Sequence, residues 1–150
     1  MKKRLIFSVL FVLFTFIIAI IGIAQTRDEL KQKYGSPDAK GRYIVRPGIG
    51  LSVKYKQNQN PSEINILPLA LDIEDTSKSS DEVMPSDKAV EVLDELVPVS
   101  KRGAKLSAIT YSSGCPITIS TEYERVVISI NNRCQRRGGG TYSISIQWKK

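Results

Sequence analysis

The stretch Ile49-Gly50-Leu51-Ser52-Val53-Lys54-Tyr55-Lys56-Gln57-Asn58-Gln59-Asn60-Pro61-Ser62-Glu63-Ile64-Asn65-Ile66-Leu67-Pro68-Leu69 decides the fold. Ile49, Leu51, Val53 and Tyr55 share one parity, while Ser52, Lys54 and Lys56 share the other. A period of two with one apolar side is the pattern of a half-buried strand. The polar run 57–61 ends in proline and reads as a loop, after which alternation resumes through Ile64 and Ile66. Two such segments around a short polar break predict an antiparallel hairpin.

Upstream, Arg42 to Val45 is extended in pattern and Pro47-Gly48 marks a turn. Before it, Thr26-Arg27-Asp28-Glu29 is a capping box, in which Thr26 and Glu29 each satisfy an unpaired N–H of the other. Leu30 and Tyr34 stand one turn apart, and Gly35 followed by Pro37 stops the helix, so the spacing predicts a helix over 27–34.

Downstream, residues 72–85 are rich in Asp, Glu and Ser and read as an acidic flexible connection. Asp72, Glu74 and Asp75 lack the spacing, the turn glycine and the closing bidentate Glu of a calcium loop. Ser86 is then placed as the cap of a second helix. Ala89, Val90, Leu93, Leu96 and Val97 form its apolar stripe, and Pro98 its end. The last third is β in character. Strands are expected over 106–111, 126–131 and 141–148, and Tyr142, Ile144, Ile146 and Trp148 share one face of the last.

The expected architecture is α+β: an antiparallel sheet of five or six strands packed against two helices, with one disulfide. Residues 25–150 make one domain, large enough to bury a core without a metal. Apolar content of 41% and charged content of 25% exclude a wholly disordered chain.

Residues 1–24 read as a signal peptide. Lys2, Lys3 and Arg4 are followed by an uncharged apolar run to Ala24, and Gly22 and Ala24 offer small side chains before Gln25. The run is also long enough to serve as an N-terminal membrane anchor. In both cases the domain lies outside the cytoplasm, periplasmic or secreted, and meets a membrane only through this segment if it is uncleaved.

Cys115 and Cys134 are the only cysteines, and an even pair in an exported chain becomes a bridge. With no CxxC spacing and no histidine, neither a redox motif nor a zinc site is expected. The lack of histidine also removes the commonest general base and metal ligand. No cofactor is expected, and no catalytic constellation is recognisable.

Charge is segmented. Residues 25–71 hold 8 basic and 4 acidic side chains, 72–95 hold 2 and 9, and 96–150 hold 9 and 2. Alternating blocks favour mixed-charge surfaces over a nucleic-acid footprint, so nucleic acid is not an expected partner. Arg133, Arg136 and Arg137, with Gly138, Gly139 and Gly140, form the candidate anion site. Forked donors and glycine N–H groups suit a phosphate, a sulfate or an acidic glycan. Glu122 and Glu124 are the carboxylates of the rival expectation, a small carboxylate-dependent hydrolase.

With the helix, Tyr34-Gly35-Ser36-Pro37 and the hairpin in place, the first half is similar to small lipoproteins of outer-membrane assembly, although no lipobox cysteine is present. More of the chain resembles uncharacterised exported proteins of soil acidobacteria. The matching residues are Tyr34 to Pro37, Val45 to Pro47, Gly114-Cys115, Glu122 to Glu124, Val126 to Ile128, Cys134 and Trp148-Lys149. That resemblance implies export and no particular chemistry.

The function expected is therefore a non-catalytic exported or cell-envelope module that binds or scaffolds an envelope protein or an anionic polymer. A deep polar cleft with upshifted carboxyl groups would favour the hydrolase. A flat sheet with an exposed apolar edge would favour binding.

Overall fold

The computed structural model describes residues 25–57, 59–70, 82–112 and 114–149. Residues 1–24, where the signal peptide or anchor is expected, and 71–81, most of the expected acidic connection, lie outside them. Ten elements follow in order: α1 (Arg27–Tyr34), β1 (Tyr43–Arg46), β2 (Ile49–Tyr55), β3 (Pro61–Pro68), α2 (Ser86–Leu96), α3 (Val99–Arg102), β4 (Lys105–Ser112), β5 (Ile117–Tyr123), β6 (Val126–Asn132) and β7 (Thr141–Trp148). A 3₁₀ turn, Gln135–Arg137, sits between β6 and β7.

The strands form a single antiparallel sheet in the order β1-β2-β3-β7-β6-β5-β4. The sequence predicts the β2–β3 hairpin, and its register is Leu51 opposite Ile66 and Val53 opposite Ile64. From β3 the chain crosses the sheet through α2 and α3 to start β4 at the far edge. It then returns strand by strand until β7 lies beside β3, with Ile146 opposite Ile64 and Ile144 opposite Ile66.

One face of this sheet carries the core. Tyr43, Leu51, Ile64, Ile66, Ile128, Ile144 and Ile146 project from five adjacent strands into one cluster with Leu30 of α1 and Ala89, Val92, Leu93 and Leu96 of α2. The capping box forms as the sequence predicts: Glu29 donates its N–H to Thr26 Oγ1 (3.3 Å), and Thr26 donates its N–H to Glu29 Oε2 (2.7 Å). Gly35 ends the helix at a φ of 83°, a left-handed value that other residues resist.

The expectation of five or six strands and two helices is overturned, since the described residues form seven strands and three helices. The added strand is β5. Its Ile-Thr-Ile-Ser-Thr-Glu-Tyr is only half-buried, so apolar alternation is diluted by hydroxyl residues that pack as well in a strand as an aliphatic chain does. The added helix is α3, one turn that begins directly after Pro98, because proline suits the entry to a helix as readily as the exit from one.

Two details of α2 also differ. Pro85 is the N-cap and Ser86 the first helical residue, with no side-chain capping bond. Ser86 Oγ lies instead 3.0 Å from Thr141 Oγ1. The buried stripe holds Val92 where the sequence reading put Val90, which is exposed. Just before the helix, Met84 is buried and exchanges backbone hydrogen bonds with Thr141 (2.8 and 2.9 Å), tying the entry of α2 to β7.

Charged side chains fasten the helices. Glu95 of α2 accepts from Lys33 Nζ (2.8 Å), Arg46 Nη2 (2.6 Å) and the Tyr34 hydroxyl (2.8 Å), joining α1, β1 and α2 at one carboxylate. Partial burial pushes the Glu95 carboxyl up. The hydrogen bonds from Lys33 and Tyr34 and the charges of Lys33 and Arg46 outweigh it, and the group sits below the ordinary carboxylate range. Arg102 of α3 is buried: it donates to Val97 O (2.9 Å), pairs with Asp94, and its guanidinium carbon lies 5.8 Å from the centre of the Tyr123 ring.

Candidate binding surface at the open end of the sheet

The helices reach only part of the sheet. α1 packs on β1, and α2 packs on β3 and β7. β5 meets the helical layer at Tyr123, which packs on the core cluster and against Arg102 of α3, while every residue of β4 stays exposed. Register couples the two strands from Lys105 opposite Tyr123 to Ser112 opposite Ile117, with a bulge at Leu106.

Every residue of β4 is exposed. Leu106 (57%), Ile109 (51%) and Tyr111 (58%) stand largely in solvent. By register Ile109 lies opposite Ser120, which lies opposite Ser129, then Ser145, Asn65 and Ser52. The outer face is therefore a polar row, with Ser120 and Ser129 hydroxyls 3.0 Å apart, that turns apolar only at its last strand. On the helix-side face, Thr110 lies opposite Ile119, itself exposed.

The signal for this surface was present in the sequence. Leu106 and Ala108 occupy one parity of β4 and Ile109 and Tyr111 the other, so the strand is apolar on both sides. A strand of that kind is either buried between two layers or left for a partner. Here neither face is covered by a described residue of another layer.

The far end of the β4–β5 hairpin is pinned by the disulfide. Cys115 bonds Cys134 with 5.7 Å between Cα atoms, tying the β4–β5 turn to the β6–β7 loop; the Cys115–Pro116 peptide is cis. A shallow open cleft beside the bridge is lined by Gly114, Cys115, Cys134, Gln135 and Arg136.

The arginine–glycine loop lies in the same place. Gly138 donates its N–H to Gln135 O (2.9 Å), Gly139 to Cys134 O (3.3 Å), and Arg133 to Gly140 O (2.8 Å). These donors close the turn on itself, so they do not converge on a common point outside it. Arg136 is exposed at the cleft, Arg133 is half-buried, and the side chain of Arg137 lies outside the described part.

Glu122 and Glu124 are not brought together across a cleft. Glu122 accepts from Lys149 Nζ (2.5 Å) and Ser107 Oγ (3.3 Å), and the Lys149 hydrogen bond and charge hold its carboxyl below the ordinary range. Glu124 follows the end of β5 and accepts the Ala104 N–H (3.0 Å). Among the described residues no group of three or more His, Cys, Asp or Glu side chains is placed to hold a metal.

The class these features define is a two-layer α+β domain: helices on one face of a seven-stranded antiparallel sheet, one disulfide, and an open sheet edge. No family model matches the chain, and no curated protein matches it. Among solved structures it is similar to a DUF4309 family protein, YjgB of Bacillus subtilis subsp. subtilis str. 168. The identity is 15% and the TM-score 0.42, over 83% of this chain and 78% of that one.

Proposed function

We propose that this chain is a non-catalytic, exported module that binds another envelope component through the β4–β5 end of its sheet. One observation carries the reading: β4 is eight residues long, forms the edge of the sheet, and exposes Leu106, Ile109 and Tyr111 on both of its faces. Burying each of those side chains in a complex is worth about 1.5–3 kcal/mol before the cost of association. Unpaired backbone N–H and C=O groups along the same edge add directional bonds.

Two further features support it. Glu122 and Glu124 are taken up by Lys149, Ser107 and the Ala104 N–H, so this pair of carboxylates does not face a shared cleft. The disulfide suits an oxidising compartment, and the apolar leader supplies the route to it.

A photoreactive amino acid at Tyr111, introduced in the native host, is expected to yield a discrete adduct, and the same probe at Lys54 none. Identical adducts at both positions, or none at Tyr111, would overturn the reading. Intact mass is expected to show cleavage before Gln25, or the retained leader, together with loss of two hydrogens at the cysteines. A mass that retains both thiol hydrogens would remove the exported compartment.

A further inference from the structure

Resting on that reading, we infer that the component bound at β4 is an extended segment of a partner polypeptide, apolar in its middle and acidic at both ends, added to the sheet as an eighth strand. The edge is bounded by cations. Lys105 opens β4, and Arg136 lines the cleft with Gly114 and Cys115, just past its end. Neither cation has a carboxylate partner among the described residues, unlike Lys149, Arg46 or Lys54, each of which is paired.

Past Lys105 the β4 side chains carry no charge; the carboxylate beside them, Glu122 of β5, accepts from Ser107 Oγ and is paired with Lys149. Leu106 to Ser112 offers Leu, Ser, Ala, Ile, Thr, Tyr and Ser, with neither the mid-strand lysine nor the proline that keeps an edge from pairing. Eight residues span about 24 Å from first to last at strand rise, so a segment of about ten residues reaches from Lys105 to the Arg136 cleft.

Charge complementarity separates this occupant from a second copy of the chain. Two β4 strands paired about a two-fold axis at Ile109 run antiparallel. That sets Lys105 of each copy beside the turn of the other, where the other copy's Arg136 lines the cleft. Like charges then meet at both ends of the new ladder. An acidic-ended strand meets Arg136 at one end and Lys105 at the other, where Glu122 is offset by its Lys149 partner and Glu124 is turned to the Ala104 N–H.

The test uses the full chain in mild detergent and a synthetic peptide of about ten residues, with paired glutamates at each end and alternating valine and threonine between. The glutamate-ended peptide is expected to bind, and its lysine-ended counterpart roughly tenfold more weakly. The double variant Lys105→Glu/Arg136→Glu is expected to invert that order. N-methylation of alternate residues should abolish binding in one register and spare it in the other, because only every second N–H faces the edge.

Equal affinity for both peptides, with the register effect intact, would overturn the acidic partner while leaving β4 as the binding edge. Heparin that displaces the peptide with no register effect would place the site on the arginine loop and overturn strand addition. Self-association lost in Ile109→Lys, with no peptide bound, would make a second copy the occupant and overturn the proposal. Failure of the Tyr111 crosslink, by contrast, sinks the parent reading.

Discussion

The two edges of this sheet are built differently. β1 is four residues long, and it buries Tyr43 and Val45 beneath α1 while exposing Ile44 and Arg46. Its Arg46 is held by Glu95 of α2, so helices, a salt bridge and short length all shield that edge. β4 is twice as long and buries nothing. An unpaired edge of that length with apolar side chains on both faces is one that proteins elsewhere blunt with charge or proline. The difference teaches that the helical layer sets where the core ends: β5 still reaches it through Tyr123, and β4 is held by its ladder to β5 with the disulfide fixing the turn between them.

The largest effect should separate the covered half from the bare end. Ile146 is fully buried between β3 and β6, so Ile146→Ala is expected to cost about 4 kcal/mol in chemical denaturation. A cost below about 1 kcal/mol would mean that the cluster under α2 is not the main core.

Next, Cys115→Ser with Cys134→Ser removes the tie between the two loops. The bridge spans a sequence separation of 19, for which chain entropy gives about 3 kcal/mol. Hydrogen exchange should accelerate more in β4 and β5 than in β2 and β3. Uniform acceleration would break the distinction between the two halves.

A smaller effect belongs to the fastened edge. Because the Glu95 carboxyl is depressed in the folded state, the unfolded chain takes up its proton first as the pH falls. Its contribution is present above the unfolded carboxylate range, near pH 4.3, and is lost as pH drops through the lower folded value. Glu95→Gln is expected to cost about 1 kcal/mol at pH 7 and to flatten this part of the acid limb. An unchanged limb would show that the Lys33–Arg46–Glu95 cluster does not fasten α2 to the β1 edge.

The smallest change in stability is expected at β4. Leu106→Ala and Ile109→Ala should each stay within about 0.5 kcal/mol of wild type while weakening the Tyr111 crosslink. A loss comparable to that at Ile146 would mean that these side chains are structural and that the bare end is covered in the folded chain.

Much of the fold was legible along the chain. Thr26 and Glu29 announced α1, the parity of 49–69 announced the central hairpin, and Cys115 and Cys134 announced the bridge. β5 was not, because Thr118, Ser120 and Thr121 mute the alternation that Ile117 and Ile119 begin. The Val92-for-Val90 difference in α2 has the same origin: adjacent valines satisfy two neighbouring stripes, and only the orientation of the helix on β3 and β7 chooses between them.

The candidate surface was less legible than the fold. Arg133 to Gly140 drew attention by composition, yet the N–H groups of Gly138 and Gly139 are spent within the turn. Leu106, Ile109 and Tyr111 drew none, since in one dimension they read as an ordinary core strand.

By itself the sequence determined which segments alternate, where helices start and stop, and that two thiols are available to join, because those properties depend on neighbours a few residues apart. Only the tertiary structure decided which apolar strands are covered. Coverage depends on how far α1 and α2 reach across the sheet, and strand order places β4 beyond that reach although its side chains are as apolar as those of strands inside it.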